Sequence, residues 1–257
     1  MKPIVVIAAV QQETALLEKA LEYSVTVTGG GYEYLEGIIG SVPVVVCVSG
    51  IGKINAAAAA ALLIERCQPR LVINTGCAGA YIGSGLTLGN LVVASEEVLA
   101  DDGVVIVDGW HDLQYMNIPS IQLGERRCYN ILPLSRHASD KALQLADCYG
   151  ISLTRGRSAT ISTCSGTRSY AAELAQRWHA LIENMEGAAV AQVCLRSGID
   201  CLEIRGVSNM VEERDLRSWN IPMAVEAAQR FVLHYIEEID RPDLPPLSKA
   251  ISEITPD

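Results

Sequence analysis

The sequence predicts a single α/β domain, and three observations predict it. Short, β-branched, almost wholly apolar runs such as Pro3 to Val10 and Arg70 to Asn74 read as strands buried on both faces. Segments with helical spacing alternate with them, as in Ala15 to Leu21 and in the alanine-rich stretch after Lys53. Across 257 residues, 49% apolar and only 19% charged, there is ample material for one large core or two small ones. No internal repeat or shift of composition marks a second domain, so the domain is placed over residues 1–240, followed by a Pro-rich tail over 241–257.

Taken in order, Pro3 to Val10 is the first strand, and Gln11-Gln12-Glu13-Thr14 breaks it before the helix from Ala15 to Leu21. Glu13 therefore stands where a central strand hands over to a helix, a place where open α/β sheets put ligand groups. Val25 to Thr28, Glu33 to Ile39 and Pro43 to Val48 form a β-meander, with Gly29-Gly30-Gly31 as one turn. Ser49-Gly50-Ile51-Gly52-Lys53 is a tight strand-to-helix turn, and the six alanines of 56–61 let the helix after it lie close to the sheet. That turn lacks a third glycine and a Gly-Lys-Ser/Thr ending, so it is neither a dinucleotide fingerprint nor a P-loop.

Arg70 to Asn74 is a buried strand ending in Thr75-Gly76-Cys77-Ala78-Gly79-Ala80, a turn of small residues where backbone amides can approach a ligand. Gly89 to Leu99 is a longer strand. Asp101 to Arg136, with Trp110, His111, Tyr115 and Pro119, has little periodicity and reads as a long loop serving as lid, binding element or interface segment. His137 to Cys148 is a helix, Ser152 to Thr163 a strand, and Thr167 to Trp178 a helix capped near Ser165-Gly166-Thr167. Gly187 to Leu195 is an almost wholly apolar helix. Cys201 to Val207 is a strand ending in Ser208-Asn209, Met210 to Trp219 a polar connection, and Pro222 to Ile239 the last helix. Pro242, Pro245, Pro246 and Pro256 make the tail poorly ordered or irregularly packed on the surface.

A net charge of −10 without a Lys/Arg cluster argues against nucleic acid and against an anionic membrane surface, which leaves a small molecule as the partner. The eight cysteines stand singly, without a CxxC or a Cys/His ligand pattern, and read as reduced thiols of a cytoplasmic protein. No signal peptide and no bilayer-spanning run is apparent. Nothing indicates a metal site or an organic cofactor.

The chain is organised around Glu183-Asn184-Met185-Glu186-Gly187-Ala188-Ala189, which sets two carboxylates and a thioether against an apolar helix. An unpaired buried carboxylate costs several kcal/mol, so Glu186 at the head of that helix needs a dipole, a donor or a ligand to compensate it. Glu13, the Thr75–Gly79 turn, Met185 with Glu186, and Ser208-Asn209 are all expected to meet at one edge of the sheet.

The combination of Gly50-Ile51-Gly52-Lys53, Asn74-Thr75-Gly76-Cys77-Ala78-Gly79, Asn184-Met185-Glu186-Gly187-Ala188-Ala189 and Arg205-Gly206-Val207-Ser208-Asn209 resembles the nucleoside phosphorylase and nucleosidase superfamily. The resemblance covers roughly Pro3 to Ile239. It implies a three-layer fold around a central mixed, partly barrel-like sheet flanked by helices, and a homo-oligomer, dimer or higher. Ala100-Asp101-Asp102-Gly103, Gly109-Trp110, and Glu203 to Val211 with Arg214, Asp215 and Trp219 are most similar to the futalosine hydrolases of the menaquinone pathway.

In the phosphorylases of this superfamily the loop after the first strand supplies an arginine for phosphate. Here that place holds Ala9-Val10-Gln11-Gln12-Glu13, whose carboxylate repels phosphate but can deprotonate water, so the resemblance is to the hydrolases. In adenine-specific nucleosidases an Asp follows the serine. Asn209 instead can donate to a carbonyl oxygen at position 6 or to N7, which suits a 6-oxopurine such as hypoxanthine. The implied mechanism is hydrolysis of an N-glycosidic bond, with water as co-substrate. Glu13 activates the water, Glu186 binds the ribose hydroxyls, Asn209 stabilises the departing base and Met185 packs on the sugar. Arg205 either orients Glu186 or only pairs with Glu203. Thr75, Cys77, Ala78, Gly79 and Ser208 are expected to line sugar and base, and Thr163 and Cys164 the purine plane. For a benzoate-bearing 5′ arm, Arg214 and Arg217 are the candidate cations, with Trp110 and Trp219 as the wall. The alternatives are a methylthioadenosine/adenosylhomocysteine nucleosidase and, further off, a phosphate-dependent purine nucleoside phosphorylase. A non-catalytic nucleoside-binding protein would need neither carboxylate.

Overall fold

The computed structural model describes residues 1–241, so the expectation for the Pro-rich tail lies outside the described residues. The chain opens with β1 (Ile4–Ala8), a 3-10 turn at Gln11–Glu13 and α1 (Ala15–Ala20), then the meander β2 (Glu22–Gly29), β3 (Tyr32–Ile39) and β4 (Val42–Val48). Next come α2 (Lys53–Cys67), β5 (Leu71–Tyr81) and β6 (Leu91–Leu99), followed by the small strands β7 (Gly103–Ile106), β8 (Gly109–Asp112), β9 (Ile121–Leu123), β10 (Arg126–Cys128) and β11 (Ile131–Pro133). The chain ends with α3 (Arg136–Tyr149), β12 (Leu153–Thr160), α4 (Arg168–Trp178), β13 (Ala180–Asn184), α5 (Gly187–Ser197), β14 (Asp200–Val211) and α6 (Ile221–Glu238).

The main sheet is ten-stranded and mixed. β14 runs parallel to β5 and antiparallel to β6, while β6 is joined through β12 and β13 back to β5, so β5, β13, β12, β6 and β14 close a ring. This is the partly barrel-like sheet expected above. The apolar run of β1 is explained by its position: Ile4 and Val6 pack with α3 and α6, whereas Val5 and Ile7 pack with α2 and α5. Successive side chains point to opposite faces, so a strand covered by helices on both sides must be apolar throughout. Each fully buried Val or Ile contributes about 1.5–3 kcal/mol.

Ala56, Ala59 and Ala60 of α2 are buried on that second face, where their small side chains let α2 lie against α5 and β1. No helix among the described residues is long and apolar enough to cross a membrane.

Several boundaries differ from expectation, and the differences matter for the site. Thr75 to Gly79 is not a turn but the middle of β5, and Ser208-Asn209 lies inside β14 rather than at its end. Both strands are longer because they pair with each other from Asp200↔Leu71 to Val211↔Tyr81, with the register shifting by one residue at Ser208, which single-strand apolarity does not reveal. Residues 101–136 are not one irregular loop: β7 and β8 form a hairpin, β9 and β10 another, and β11 joins the main sheet beside β6. Ala180–Asn184, just before the central helix, is a strand, because it pairs with β12 along its length and with β5 at Ile182 and Glu183.

Candidate functional site

One cavity is lined by Ala9, Val10, Glu13, Ile51, Cys77, Ala78, Gly79, Ile161, Cys164, Ser165, Glu183, Asn184, Met185, Glu186, Ser208, Asn209, Arg214 and Trp219. Residues far apart in the chain thus meet as expected. They come from the end of β1, the interior of β5 and β14, and the junction of β13 with α5.

Glu13 closes the 3-10 turn after β1 and is only 4% exposed. Its Oε2 accepts from the amides of Ala9 (3.0 Å) and Val10 (3.3 Å), and its Oε1 accepts from the amide of Cys77 (2.9 Å). The carboxylate therefore bridges β1 to β5 and is fixed before any ligand arrives. Gly76 makes this possible. At φ +148° it carries no side chain, and a Cβ there would lie 2.5 Å from Glu13 Oε1 and 3.0 Å from Arg205 Nη1. The same crowding pushes the Cys77 thiol up to about 12, through burial and then the Glu13 charge.

Glu186 stands just before α5, and its Oε1 accepts from the amide of Gly52 at 3.0 Å. Its Oε2 lies 3.5 Å from Arg205 Nη1. Burial raises the Glu186 pKa, Arg205 and the Gly52 N–H pull it back, and Glu13 adds to the rise. Arg205 is 1% exposed and also faces Glu203 Oε1 at 3.3 Å and Asn74 Oδ1 at 2.5 Å. It both orients Glu186 and pairs with Glu203, so the two roles weighed from the sequence coexist. Burial alone would lower its pKa, but Glu203, Glu186 and Glu13 around it raise it. Asn184 ties this layer together, since its Oδ1 accepts from the amides of Glu186 (2.8 Å) and Gly187 (2.7 Å) and so caps α5.

On the far side, Asn209 is held by the Ser208 hydroxyl, which donates to Oδ1 at 2.8 Å, while Asn209 Nδ2 donates to the Met210 carbonyl at 3.2 Å. Cys164 Sγ lies 3.3 Å from Met185 Sδ, and Arg214 sits over the Trp219 ring at 5.2 Å.

Some expected residues fall elsewhere. Thr75 is fully buried, and its hydroxyl donates to the Ile204 carbonyl, so it braces β5 against β14 and does not line the cavity. Thr163 is exposed beyond the end of β12, outside the lining. Trp110 packs edge-on against Trp178 and under Arg177, which places it outside the lining. Arg217 is turned to Asp215 at the surface, which leaves Arg214 as the cation at the cavity. Conversely, sequence reasoning missed Glu183 and Ser165 as lining groups and the Gly52 amide as the partner of Glu186. The available signal for Glu183 was an acid inside an otherwise apolar run.

The model of the family described as the phosphorylase superfamily matches residues 3–237, most of the chain. The chain belongs to the phosphorylase superfamily. Within this superfamily it is 37% identical to the futalosine hydrolase of Thermus thermophilus over 210 residues, 82% of this chain and 83% of that protein. It is 29% identical to a 5′-methylthioadenosine/S-adenosylhomocysteine nucleosidase of Bacillus cereus over 239 residues, 92% of this chain and 99% of that one. Among solved structures, the corresponding nucleosidase of Neisseria meningitidis, in complex with methylthio-immucillin-A, superposes with a TM-score of 0.81 at 26% identity, covering 93% of this chain and 100% of the other. This superfamily member thus falls among the nucleosidases, the hydrolases of N-glycosidic bonds.

Proposed function

We propose that this nucleosidase hydrolyses the N-glycosidic bond of futalosine, releasing hypoxanthine. The observation that carries the reading is that Glu13, Glu186 and Asn209 line one cavity, with both carboxylates braced on Arg205 or on backbone amides. Glu13 takes a proton from water as the water oxygen bonds to C1′ of the pentose. The electron pair of the C1′–N9 bond leaves with the purine, whose growing negative charge meets the Asn209 amide; the released base takes up a proton from solvent, and Glu13 gives its own back to solvent. Glu186 accepts from the ribose hydroxyls, and its charge favours the cationic pentose as the bond breaks.

Two features support hydrolysis over phosphorolysis. The Ala9–Glu13 loop carries no cation, and the amide at the head of α2, where a phosphate would find a donor, is already given to Glu186. Two features support a 6-oxopurine with a charged arm: Asn209 at the base, and Arg214 over Trp219 at the cavity wall. The similarity to the Thermus futalosine hydrolase agrees with this choice.

Purified protein is expected to release hypoxanthine from futalosine equally fast with and without phosphate. A strict need for phosphate would make it a phosphorylase, and faster release of adenine from methylthioadenosine would favour the methylthioadenosine/adenosylhomocysteine reading. Arg214→Ala is expected to raise KM for futalosine by roughly tenfold or more, the worth of one charge-assisted hydrogen bond, with kcat little changed. Inosine, which lacks the arm, serves as the control, and an equal rise in its KM would remove Arg214 from arm binding.

A further inference from the structure

One buried acid in the cavity has no part in the hydrolytic step. Glu183, on β13, is 8% exposed and lines the same space as Asn209. In the sheet both residues are partnered to one glycine: Glu183 opposes Gly79 from β13, and Asn209 opposes Gly79 from β14. A Cβ at Gly79 would lie 2.6 Å from Val211 Cγ2, 3.2 Å from Asn209 Nδ2 and 3.6 Å from Glu183 Cγ. Val211 therefore packs over the bare backbone of residue 79, and Glu183 and Asn209 come together beside it because that residue has no side chain.

Their hydrogen bonding fixes what each presents. Glu183 Oε2 accepts from the Ser165 hydroxyl at 2.6 Å and Oε1 from the Ser165 amide at 3.1 Å. Each carboxylate oxygen keeps a further lone pair, so Glu183 offers acceptors only. Asn209, with Oδ1 engaged by Ser208 and one amide hydrogen given to Met210, keeps one amide hydrogen to donate. The pair therefore presents an acceptor beside a donor.

We propose that Glu183, held by Ser165 beside Asn209, reads the N1 edge of the purine and so selects a 6-oxopurine over a 6-aminopurine. This rests on the cavity being a purine nucleoside site. A 6-oxopurine carries a hydrogen on N1 and an acceptor at O6, which complements an acceptor beside a donor. A 6-aminopurine carries an acceptor at N1 and donors at the 6-position, the reverse at both places. An unmatched donor or acceptor in a buried site costs far more than a missing contact, so the discrimination is expected to be strong. Burial raises the Glu183 pKa, and the Ser165 hydroxyl and amide, then Tyr81 and the Arg214 charge, offset part of that rise.

The test is binding of free bases to the full-length protein by calorimetry, which needs no turnover and so stands apart from any failure to cleave futalosine. Hypoxanthine is expected to bind at least about tenfold more tightly than 1-methylhypoxanthine or adenine. In Glu183→Gln, whose amide can also donate, the gap between hypoxanthine and adenine is expected to shrink to within about threefold. If 1-methylhypoxanthine binds the unaltered protein as tightly as hypoxanthine, the proposal is overturned without recourse to any variant. It is also overturned if Glu183→Gln weakens all three bases by a common factor, the outcome of a residue that only holds the Ser165 loop.

Discussion

Replacing Glu13 by Gln is expected to lower kcat by about a hundredfold to ten-thousandfold while the protein stays folded. Glu13 is the one carboxylate of the cavity that is fixed entirely by backbone amides, those of Ala9, Val10 and Cys77, and is thus presented rigidly to the site. The amide of Gln is nearly the same size but cannot take a proton from water. It also turns an NH₂ toward a backbone N–H, so a loss of about 1–3 kcal/mol in stability accompanies the substitution. Rates of purine release at saturating nucleoside, set beside a thermal melt, separate the two effects. A folded Glu13→Gln protein with near-normal kcat would show that water is activated by something else. Glu186→Gln is expected to lose about a hundredfold to a thousandfold for a different reason: it removes the negative charge facing the pentose. Its signature is a fall in kcat and kcat/KM together.

The convergence of these groups was legible in the sequence because each reads as standing where a strand passes into other structure. Glu13 after β1, Glu186 before α5, and Asn209 after Ser208 needed only the alternation of apolar strands with helices to be placed at one site. What sequence periodicity did not carry was pairing between strands. Thr75 to Gly79 and Ser208-Asn209 read as strand ends because small and polar residues interrupt the apolar run. In the fold they continue β5 and β14, whose backbones bond to each other along the closed ring. The five short strands between 103 and 133 escaped for a related reason, since three or four residues are too few to show an alternation.

Within the cavity, some residues singled out by their side-chain chemistry are part of the lining and others are not. Glu13, Met185, Glu186 and Asn209 line the cavity as expected, whereas Thr75 spends its hydroxyl on Ile204 and Trp110 on the β7–β8 hairpin packs on Trp178. Glu183 stood out as one of two carboxylates before the helix, but its place in the cavity depends on a strand that only pairing with β12 and β5 defines. The Gly52 amide was invisible because a backbone donor has no letter of its own. Arg205 could be paired in the sequence with Glu203 or with Glu186, and only the position of Gly76 shows why it reaches both sides of β5.

Beneath the cavity, a second expected result concerns stability. Glu97 is wholly buried, and its oxygens accept from Asn184 Nδ2 (2.8 Å) and the Thr160 hydroxyl (2.6 Å). Glu203 is its neighbour: a Cβ at Gly187 would overlap both carboxyl groups. Glu203 Oε1 faces Arg205, but Oε2 is buried and accepts from no donor. Burial and then Glu203 push Glu97 well above the usual carboxylate range, so Glu97 keeps its proton and offers it to Glu203. A raised value in the fold means that the stabilising contribution is complete below the ordinary carboxylate range and is lost as pH rises through the raised one. Glu97→Gln supplies a donor for Glu203 and an acceptor for Thr160 without titrating, and its NH₂ then faces Asn184 Nδ2, a cost that does not vary with pH. The urea midpoint of this variant is therefore expected to fall less steeply than that of the unaltered protein as pH rises above the ordinary carboxylate range. Glu186 and Glu183 are also raised and are present in both proteins, so the difference between the two curves isolates Glu97. Glu97→Ala removes the donor altogether and takes one acceptor each from Asn184, which keeps Ser158 and Glu203, and from Thr160, which keeps Asn184, with an expected loss of about 1–3 kcal/mol. Parallel curves for the unaltered protein and Glu97→Gln would mean that no proton is held between these acids, and that the floor of the cavity carries one more negative charge against Arg205 than this account allows.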